Sequence, residues 1–197
     1  MKACWTSAVA CSALLLMSCE KSQAPAPSSN AATASMAPFE YKGVPLGASE
    51  KTFTAVHPGF QCALADMGGD RSCSMKGGTY GGAPVRFTTA DFVGDKLYRV
   101  HIVFEFVNAP AVSDALREAL GSPTTNEVRP LAATEASKNN YVWTWARGLQ
   151  RVRYQSYEWG NPATMHIFSG VTIETDSYKD DLARADADRK KRRAKDL

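Results

Sequence analysis

Apolar and polar residues alternate most clearly between residues 96 and 107, and this pattern predicts a half-buried antiparallel strand. One face of that strand would carry the apolar side chains of Tyr98, Val100, Ile102, Phe104 and Phe106. Shorter runs predict further strands at residues 85–90, 141–146, 150–158 and 165–174. The glycine-rich stretch 77–83 lacks the spacing of a dinucleotide site, so it is interpreted as a turn region.

Helical spacing occurs at two places, once before the strands at 85–107 and once before those at 141–174. Ser49 can cap a short helix that runs to about His57. A second helix is expected to open at Ser113 and to end at Gly121. Its apolar side recurs every four residues, at Val112, Leu116 and Leu120. The order helix, strands, helix, strands predicts an α+β fold, with the helices packed on one face of an antiparallel sheet.

The first nineteen residues have the pattern of a targeting signal. Lys2 precedes an apolar run, residues 8–17, that is shorter than the roughly 20 helical residues needed to span a bilayer. Residues 16–19, Leu-Met-Ser-Cys, resemble the lipobox of bacterial lipoproteins. This resemblance implies cleavage before Cys19 and acylation of that cysteine, which would anchor the protein in the lipid bilayer. An ordinary secretory signal with an incidental Cys19 is the alternative.

Residues 20–38 are rich in Ala, Pro, Ser, Gln and Asn, with Met36 as their only large apolar residue. This composition is typical of a flexible tether that cannot form a core. Glu20 stands where Asp resembles the inner-membrane retention signal of enterobacterial lipoproteins, so the periplasmic face of the outer membrane is the expected location. The predicted segments are a signal peptide at 1–18, the lipidated cysteine and tether at 19–38, one domain at 39–176 and a charged helix or tail at 177–197.

The five cysteines leave a single pair after the predicted processing. Cys4 and Cys11 belong to the signal segment, and Cys19 is the predicted lipid site. Cys62 and Cys73 remain, and in the oxidising periplasm they are expected to form a structural disulfide that closes a loop of twelve residues. A metal or redox pair is the alternative, although the pair lacks CxxC spacing and an intervening histidine.

Charge is distributed unevenly along the chain. Residues 39–176 hold 13 Lys or Arg and 14 Asp or Glu, whereas residues 177–197 hold 8 and 5. The near-neutral domain gives no indication of nucleic-acid binding. Ser177 can cap a terminal helix with Asp180 and Asp181 in its first turn. The basic end of that helix would either contact anionic lipid or lipopolysaccharide, or remain a solvated tail.

Aromatic and arginine side chains are concentrated between residues 141 and 159. These residue types are enriched at the positions that dominate the energetics of protein interfaces. The candidates for partner binding are Trp143, Trp145, Arg151, Arg153, Tyr154 and Tyr157. By alternation Tyr141, Trp143 and Trp145 share one face, where they either pack in the core beneath the helices or line an exposed sheet surface.

Short motifs in the second half of the predicted domain carry a family resemblance. The amphipathic helix ends in residues 120–123, Leu-Gly-Ser-Pro, and residues 143–145, Trp-Thr-Trp, follow a loop. This arrangement resembles the SmpA/OmlA (BamE-type) lipoproteins of outer-membrane assembly, which have Trp-x-Tyr at the second position. A similar Leu46-Gly47 near the first helix favours two tandem halves, 39–107 and 108–176, and the tandem form resembles the β-lactamase inhibitor protein. The long loop 124–140 and the cysteine pair depart from the assembly family, so the resemblance informs fold more than function.

Motifs of catalytic or metal-binding quality are not found in the sequence. His57, His101 and His166 are separated from one another, and neither HExxH nor GxSxG is present. We therefore expect no cofactor, no metal and no enzymatic activity. The leading hypothesis is a periplasmic lipoprotein that binds an envelope protein through its sheet face, as an assembly accessory or as an inhibitor or immunity factor. Binding of peptidoglycan or lipopolysaccharide is the alternative.

Overall fold

The computed structural model describes residues 37–66, 68–130, 139–161 and 166–194, which belong to one compact unit, residues 36–197. The predicted signal peptide, Cys19 and most of the predicted tether lie outside the described residues. None of the helices in this described part combines the length and the apolarity that crossing a bilayer requires.

Helices and strands alternate in groups along the described chain. In chain order they are β1 (Glu40–Tyr41), β2 (Val44–Pro45), α1 (Glu50–Val56), β3 (Gln61–Leu64), β4 (Arg71–Lys76), β5 (Thr79–Tyr80), β6 (Ala83–Pro84), β7 (Phe87–Val93), β8 (Lys96–Glu105), α2 (Ala109–Leu120), β9 (Thr125–Pro130), β10 (Asn139–Arg147), β11 (Gln150–Asn161), β12 (His166–Thr175) and α3 (Lys179–Arg193). A short 3-10 turn, Phe106–Asn108, joins β8 to α2.

Eight of the strands form one antiparallel sheet in the order β3-β4-β7-β8-β12-β11-β10-β9. The remaining strands form two small ribbons, β1 with β2 and β5 with β6. The α+β class with a large antiparallel sheet is therefore confirmed. The finer predictions, two tandem halves and helices confined to one face, stay predictions.

The main hydrophobic core joins one face of the large sheet to α1 and α2. The strand registers align one buried row across six strands, consisting of Cys73, Ala90, Val100, Ile173, Val152 and Trp145. Phe53 of α1 and Val112 and Leu116 of α2 belong to the same buried cluster. The row forms because alternate residues of each strand point to the same face.

Helix α1 follows the prediction closely. The Ser49 hydroxyl accepts a hydrogen bond of 3.1 Å from the backbone N–H of Thr52, which satisfies one of the free donors of the first turn. Phe53 is fully buried, and its ring centroid lies 4.9 Å from that of Phe60 in an edge-on arrangement. The ring centroid of Phe92 in β7 lies 5.7 Å from that of Phe53, and this contact packs the helix against the sheet.

Helix α2 begins at Ala109, earlier than the predicted start at Ser113. Pro110 occupies the first turn, where a missing N–H costs no intrahelical hydrogen bond. The Ser113 hydroxyl donates to the Pro110 carbonyl at 2.8 Å, so it lies inside the helix and does not cap it. The predicted end at Gly121 is confirmed, and its φ of 76° is a conformation that favours glycine.

A bulge in β8 changes the predicted alternation of that strand. The pairs Asp91–Arg99 and Phe92–Leu97 leave Tyr98 as an extra residue. Leu97 therefore belongs to the main core, whereas Tyr98 belongs to a second buried cluster with Val93 and Ala185 of α3. The prediction that Tyr98 shares a face with Val100 is wrong for this reason. The strand also ends at Glu105, before the predicted end at residue 107.

The terminal helix α3 packs against the sheet instead of remaining a solvated tail along its whole length. Leu182 and the N-cap residue Tyr178 flank the second cluster, and Arg189 donates a hydrogen bond of 3.1 Å to the Gly69 carbonyl. Asp180 and Asp181 lie in its first turn as predicted. Ser177 does not cap the helix because its hydroxyl pairs with that of Thr175 at 2.8 Å.

Strand β9 lies inside the segment 124–140 that the sequence predicts to be a loop. It pairs with β10 in the register Val128–Tyr141. Val128 is the only large apolar residue in this strand, so the alternation is too weak to reveal it. The cysteine pair likewise lies on two neighbouring strands, β3 and β4, with Cys62 directly opposite Cys73.

Buried tyrosines predict a loss of stability at alkaline pH. Burial raises the pKa of Tyr80, Tyr98 and Tyr154 to about 12. Between pH 10 and 12 the unfolded chain releases these protons while the folded protein retains them, so the free energy of unfolding falls as pH rises. The urea midpoint should therefore be flat below pH 9 and decline above pH 10. A midpoint that is unchanged up to pH 11.5 would contradict the burial of these phenols.

Candidate binding groove beside helix α2

The aromatic residues predicted to bind a partner lie mainly in the core. Trp145 and Tyr154 each expose 3% of their surface and Trp143 exposes 9%, whereas Tyr141 on the same face exposes 43%. Of the two alternatives that the sequence leaves open for Tyr141, Trp143 and Trp145, the structure therefore shows core packing for Trp143 and Trp145.

Contacts from these aromatic side chains hold α2 on the sheet. Trp145 Nε1 donates to the Gly121 carbonyl at 2.9 Å, and the Tyr154 hydroxyl donates to the Ala109 carbonyl at 3.3 Å. These two hydrogen bonds reach the C-terminal and N-terminal ends of the helix. Between them the Arg117 guanidinium lies 4.1 Å above the ring of Trp143. These hydrogen bonds hold both ends of α2 against strands β10 and β11.

The predicted arginines lie on the other face of the sheet. Arg151 donates to Glu174 at 2.6 Å and to Asp176 at 2.9 Å, and it lies beside neither Trp143 nor Trp145. The hydrogen bond to Glu174 raises the pKa of Arg151, so the guanidinium stays charged. Arg153 is half-buried and is paired in register with Thr144 and Thr172.

Tyr157 lies in β11, beyond the buried Tyr154. It is half-buried, and its backbone N–H donates to Asn140 Oδ1 at 3.0 Å. The structure thus divides the six predicted candidates between two faces. They do not form one binding surface.

A groove of about 700 Å³ opens between the start of α2 and strands β10 and β11. Phe106, Val107 and Pro110 line one side, and Tyr141, Trp143 and Tyr154 line the other. The walls are mainly apolar. Volumes of this size are typical of sites that hold small ligands or the side chains of a partner.

Exposed apolar side chains surround the mouth of this groove. Phe106 exposes 42% of its surface and Val107 exposes 80%. Both lie in the 3-10 turn, where β8 has ended and the strand no longer directs alternate residues into the core. Val128 is also exposed and pairs with Tyr141 across β9 and β10. Such a contiguous patch is a feature of interaction sites, whereas single exposed apolar residues are common everywhere.

The two serine hydroxyls of the groove are already hydrogen-bonded within the fold. Ser113 donates to the Pro110 carbonyl, and the Ser156 hydroxyl accepts from the backbone N–H of Tyr141 at 2.8 Å. Chemically, the groove can therefore bind an apolar group by burial from water. Sequence reasoning missed it because Phe106 and Val107 look like the continuation of a core strand.

Two smaller depressions continue this groove along α2. The first shares Arg117 and Trp143 with the groove and extends to Ser122. The second also contains Ser122 and ends at Phe39 and Trp145. Together they form a furrow that leads from the groove to the point where the N-terminal segment joins the fold.

The two tryptophans should respond differently to replacement by phenylalanine. Trp145→Phe removes the donor to the Gly121 carbonyl, whereas the buried Trp143 Nε1 has no hydrogen-bond partner among the described residues. We expect Trp145→Phe to lower the free energy of unfolding by about 1–2 kcal/mol more than Trp143→Phe, since the change in ring size is the same. Urea unfolding of both variants measures this difference, and equal losses would contradict it.

The cysteine pair is confirmed as a disulfide between Cys62 and Cys73. Glu50 lies near both sulfur atoms, and within the described ranges this is the one cluster of three groups with metal-ligand chemistry. The sulfur atoms are bonded to each other, and Glu50 forms an ion pair of 3.0 Å with Arg71. In this oxidised state the cluster stabilises the edge of the sheet and offers no free thiolate.

Comparison with known proteins finds no matching family model, no matching curated protein and no matching solved structure.

Proposed function

We propose that this protein is a lipid-anchored envelope protein that binds a partner protein without catalysis, through the mouth of the groove beside α2. The observation that carries the proposal is the exposure of Phe106, Val107 and Tyr141 around an apolar cavity. An apolar side chain of a partner that enters such a cavity is removed from water, which is the main source of affinity at interface centres.

The anchor rests on the lipobox-like residues 16–19, which lie outside the described residues. Cleavage and acylation at Cys19 would hold the domain on the periplasmic face of the outer membrane. Replacing Cys19 with Ala should abolish the incorporation of labelled fatty acid and release the protein into the soluble periplasmic fraction. Continued acyl labelling of the variant would overturn this part of the proposal.

The order of the strands supports the proposal of two tandem halves. The first half would be α1 followed by β3, β4, β7 and β8, and the second would be α2 followed by β9, β10, β11 and β12. Each half is then a helix and four strands, and the halves meet at the antiparallel pair β8–β12 in the middle of the sheet. In this arrangement α1 and α2 lie on one face of the sheet. A role in envelope assembly or as an inhibitor would use the groove, which lies where the end of the first half meets α2, β10 and β11 of the second.

A charge placed at the groove mouth should weaken partner binding. Val107→Asp puts a carboxylate where an apolar side chain of the partner would bind, and its desolvation should weaken binding about tenfold or more. Leu149→Asp is the matched control, because Leu149 exposes 62% of its surface in the turn between β10 and β11. The measurement is recovery of the partner from envelope extract with each bead-bound variant.

A third variant separates the groove from the opposite sheet face. Arg153→Ala alters that polar face without touching the groove. Loss of the partner with Arg153→Ala and full recovery with Val107→Asp would overturn the groove as the contact.

Peptidoglycan or lipopolysaccharide binding remains a second candidate because Lys190, Lys191 and Arg192 are exposed at the end of α3. Binding of purified lipopolysaccharide that Val107→Asp leaves intact, with no protein partner recovered, would favour this candidate.

A further inference from the structure

We infer that the groove beside α2 also receives an acyl chain of the protein's own Cys19 whenever that chain is not inserted in a membrane. The inference deepens the proposed function and rests on its lipid anchor. It assigns to the groove a regulatory occupant that competes with the partner protein.

The chemistry of the groove fits a hydrocarbon chain. Its walls are the apolar side chains of Phe106, Val107 and Pro110 on one side and the aromatic rings of Tyr141 and Trp143 on the other. A hydrocarbon offers no hydrogen bonds, and the hydroxyls of Ser113 and Ser156 require none from it because they are already paired within the fold.

The N-terminal segment joins the fold at the far end of the furrow. Arg147 donates a hydrogen bond of 3.0 Å to the Ala37 carbonyl, and the backbone N–H of Phe39 donates to Gln150 Oε1 at 2.8 Å. Phe39 and Arg147 also line the last depression of the furrow. The segment that carries Cys19 therefore starts at the C-terminal end of α2, and the furrow connects this point with the groove.

The length of this segment matches the distance to the groove. Along β10 the step from Ala146 to Tyr141 covers about 17 Å at the ordinary rise of a strand. Residues 19–36 amount to eighteen residues, for which a flexible coil has a root-mean-square length of about 21–25 Å. A linker whose length matches the span gives an effective concentration in the millimolar range, so occupation within one molecule is favoured over occupation by a free lipid.

The acyl chain is a better occupant than the protein part of the same segment. Residues 20–38 contain one large apolar side chain, Met36, next to the fold. The hydrocarbon on Cys19 would be the longest apolar group attached to the chain, and it must be shielded from water when the protein is off the membrane. Insertion of the lipid into a bilayer would then free the groove for the partner.

Photocrosslinking tests the inference on the mature, full-length protein. Cells are supplied with a diazirine-bearing fatty acid, and the labelled protein is purified, exchanged into detergent-free buffer at low concentration and irradiated. Mass spectrometry should locate the crosslinks within monomers, on peptides that contain residues 106–117 and 141–143. Val107→Asp should reduce their yield about tenfold, because a carboxylate must be desolvated beside the hydrocarbon, while Leu149→Asp leaves it unchanged.

The outcomes distinguish this inference from the proposed function. Label on Cys19 with crosslinks only outside the groove, or only between molecules, overturns the inference and leaves the anchor and the partner site intact. Absence of label on Cys19 overturns both the anchor and the inference. Groove crosslinks that disappear when vesicles of phosphatidylethanolamine and phosphatidylglycerol are added support the exchange between groove and membrane, and groove crosslinks that persist in full contradict it.

Discussion

Arg99→Met is expected to lower the free energy of unfolding by about 3 kcal/mol, because it leaves a buried carboxylate without its cation. Asp91 exposes only 5% of its side chain, and its Oδ2 lies 2.8 Å from the Arg99 guanidinium. Its other oxygen accepts a hydrogen bond of 2.7 Å from the Ser72 hydroxyl. This single neutral donor cannot compensate for the negative charge of the Asp91 carboxylate. The expected loss of stability lies at the low end of the range for buried ion pairs, because part of the Arg99 side chain is exposed to water.

The matched control is Arg86→Met, which breaks an ion pair of similar length on the surface. Arg86 and Glu105 lie 3.1 Å apart, with 54% and 42% of their side chains exposed. The free energy of unfolding of this variant should fall by less than about 1 kcal/mol, since exposed ion pairs contribute little to stability. Urea unfolding at neutral pH gives both values. Equal losses in the two variants would show that the burial of Asp91 does not determine the effect.

Removal of the disulfide is expected to lower the free energy of unfolding by an amount similar to that of Arg99→Met, through a different mechanism. Cys62 and Cys73 close a loop of twelve residues, and loop-closure entropy assigns such a bridge about 3 kcal/mol. The double variant Cys62→Ala/Cys73→Ala should therefore melt about 6–12 °C lower than the wild type. Differential scanning calorimetry of the wild type and the double variant is the measurement.

A reductant provides the control for this comparison. Dithiothreitol should lower the melting temperature of the wild type to that of the double variant and leave the double variant unchanged. A reduced wild type that melts at its oxidised temperature would contradict the entropic role of the bridge.

Sequence pattern was sufficient for the elements with strong periodicity. Ser49 and Gly121 mark helix ends because capping and left-handed geometry depend on single residue types, and both positions were predicted. The disulfide was predicted because the other three cysteines belong to the segment before the domain. These features depend on local chemistry, which a sequence shows directly.

The candidate site could not be predicted in the same way. The groove arises where β8 ends, and the end of a strand depends on tertiary pairing instead of on the residues Phe106 and Val107 themselves. The same is true of the bulge at Tyr98, which moves one side chain to the second cluster. The aromatic block includes Tyr141, Trp143 and Tyr154, which line the groove, but α2 covers Trp143 and leaves Tyr141 as the most accessible of the three.

The two edges of the large sheet also affect whether neighbouring copies of the protein aggregate. Among the described residues, β3 and β9 each pair on one side only. The first has four residues and is joined covalently to β4, while the second carries the ion pair of Glu127 with Arg129 and ends at Pro130, which has no N–H to donate. Short, charged or proline-ended edges resist pairing with strands of another molecule. Neighbouring copies of the protein should therefore remain separate instead of joining their sheets into aggregates.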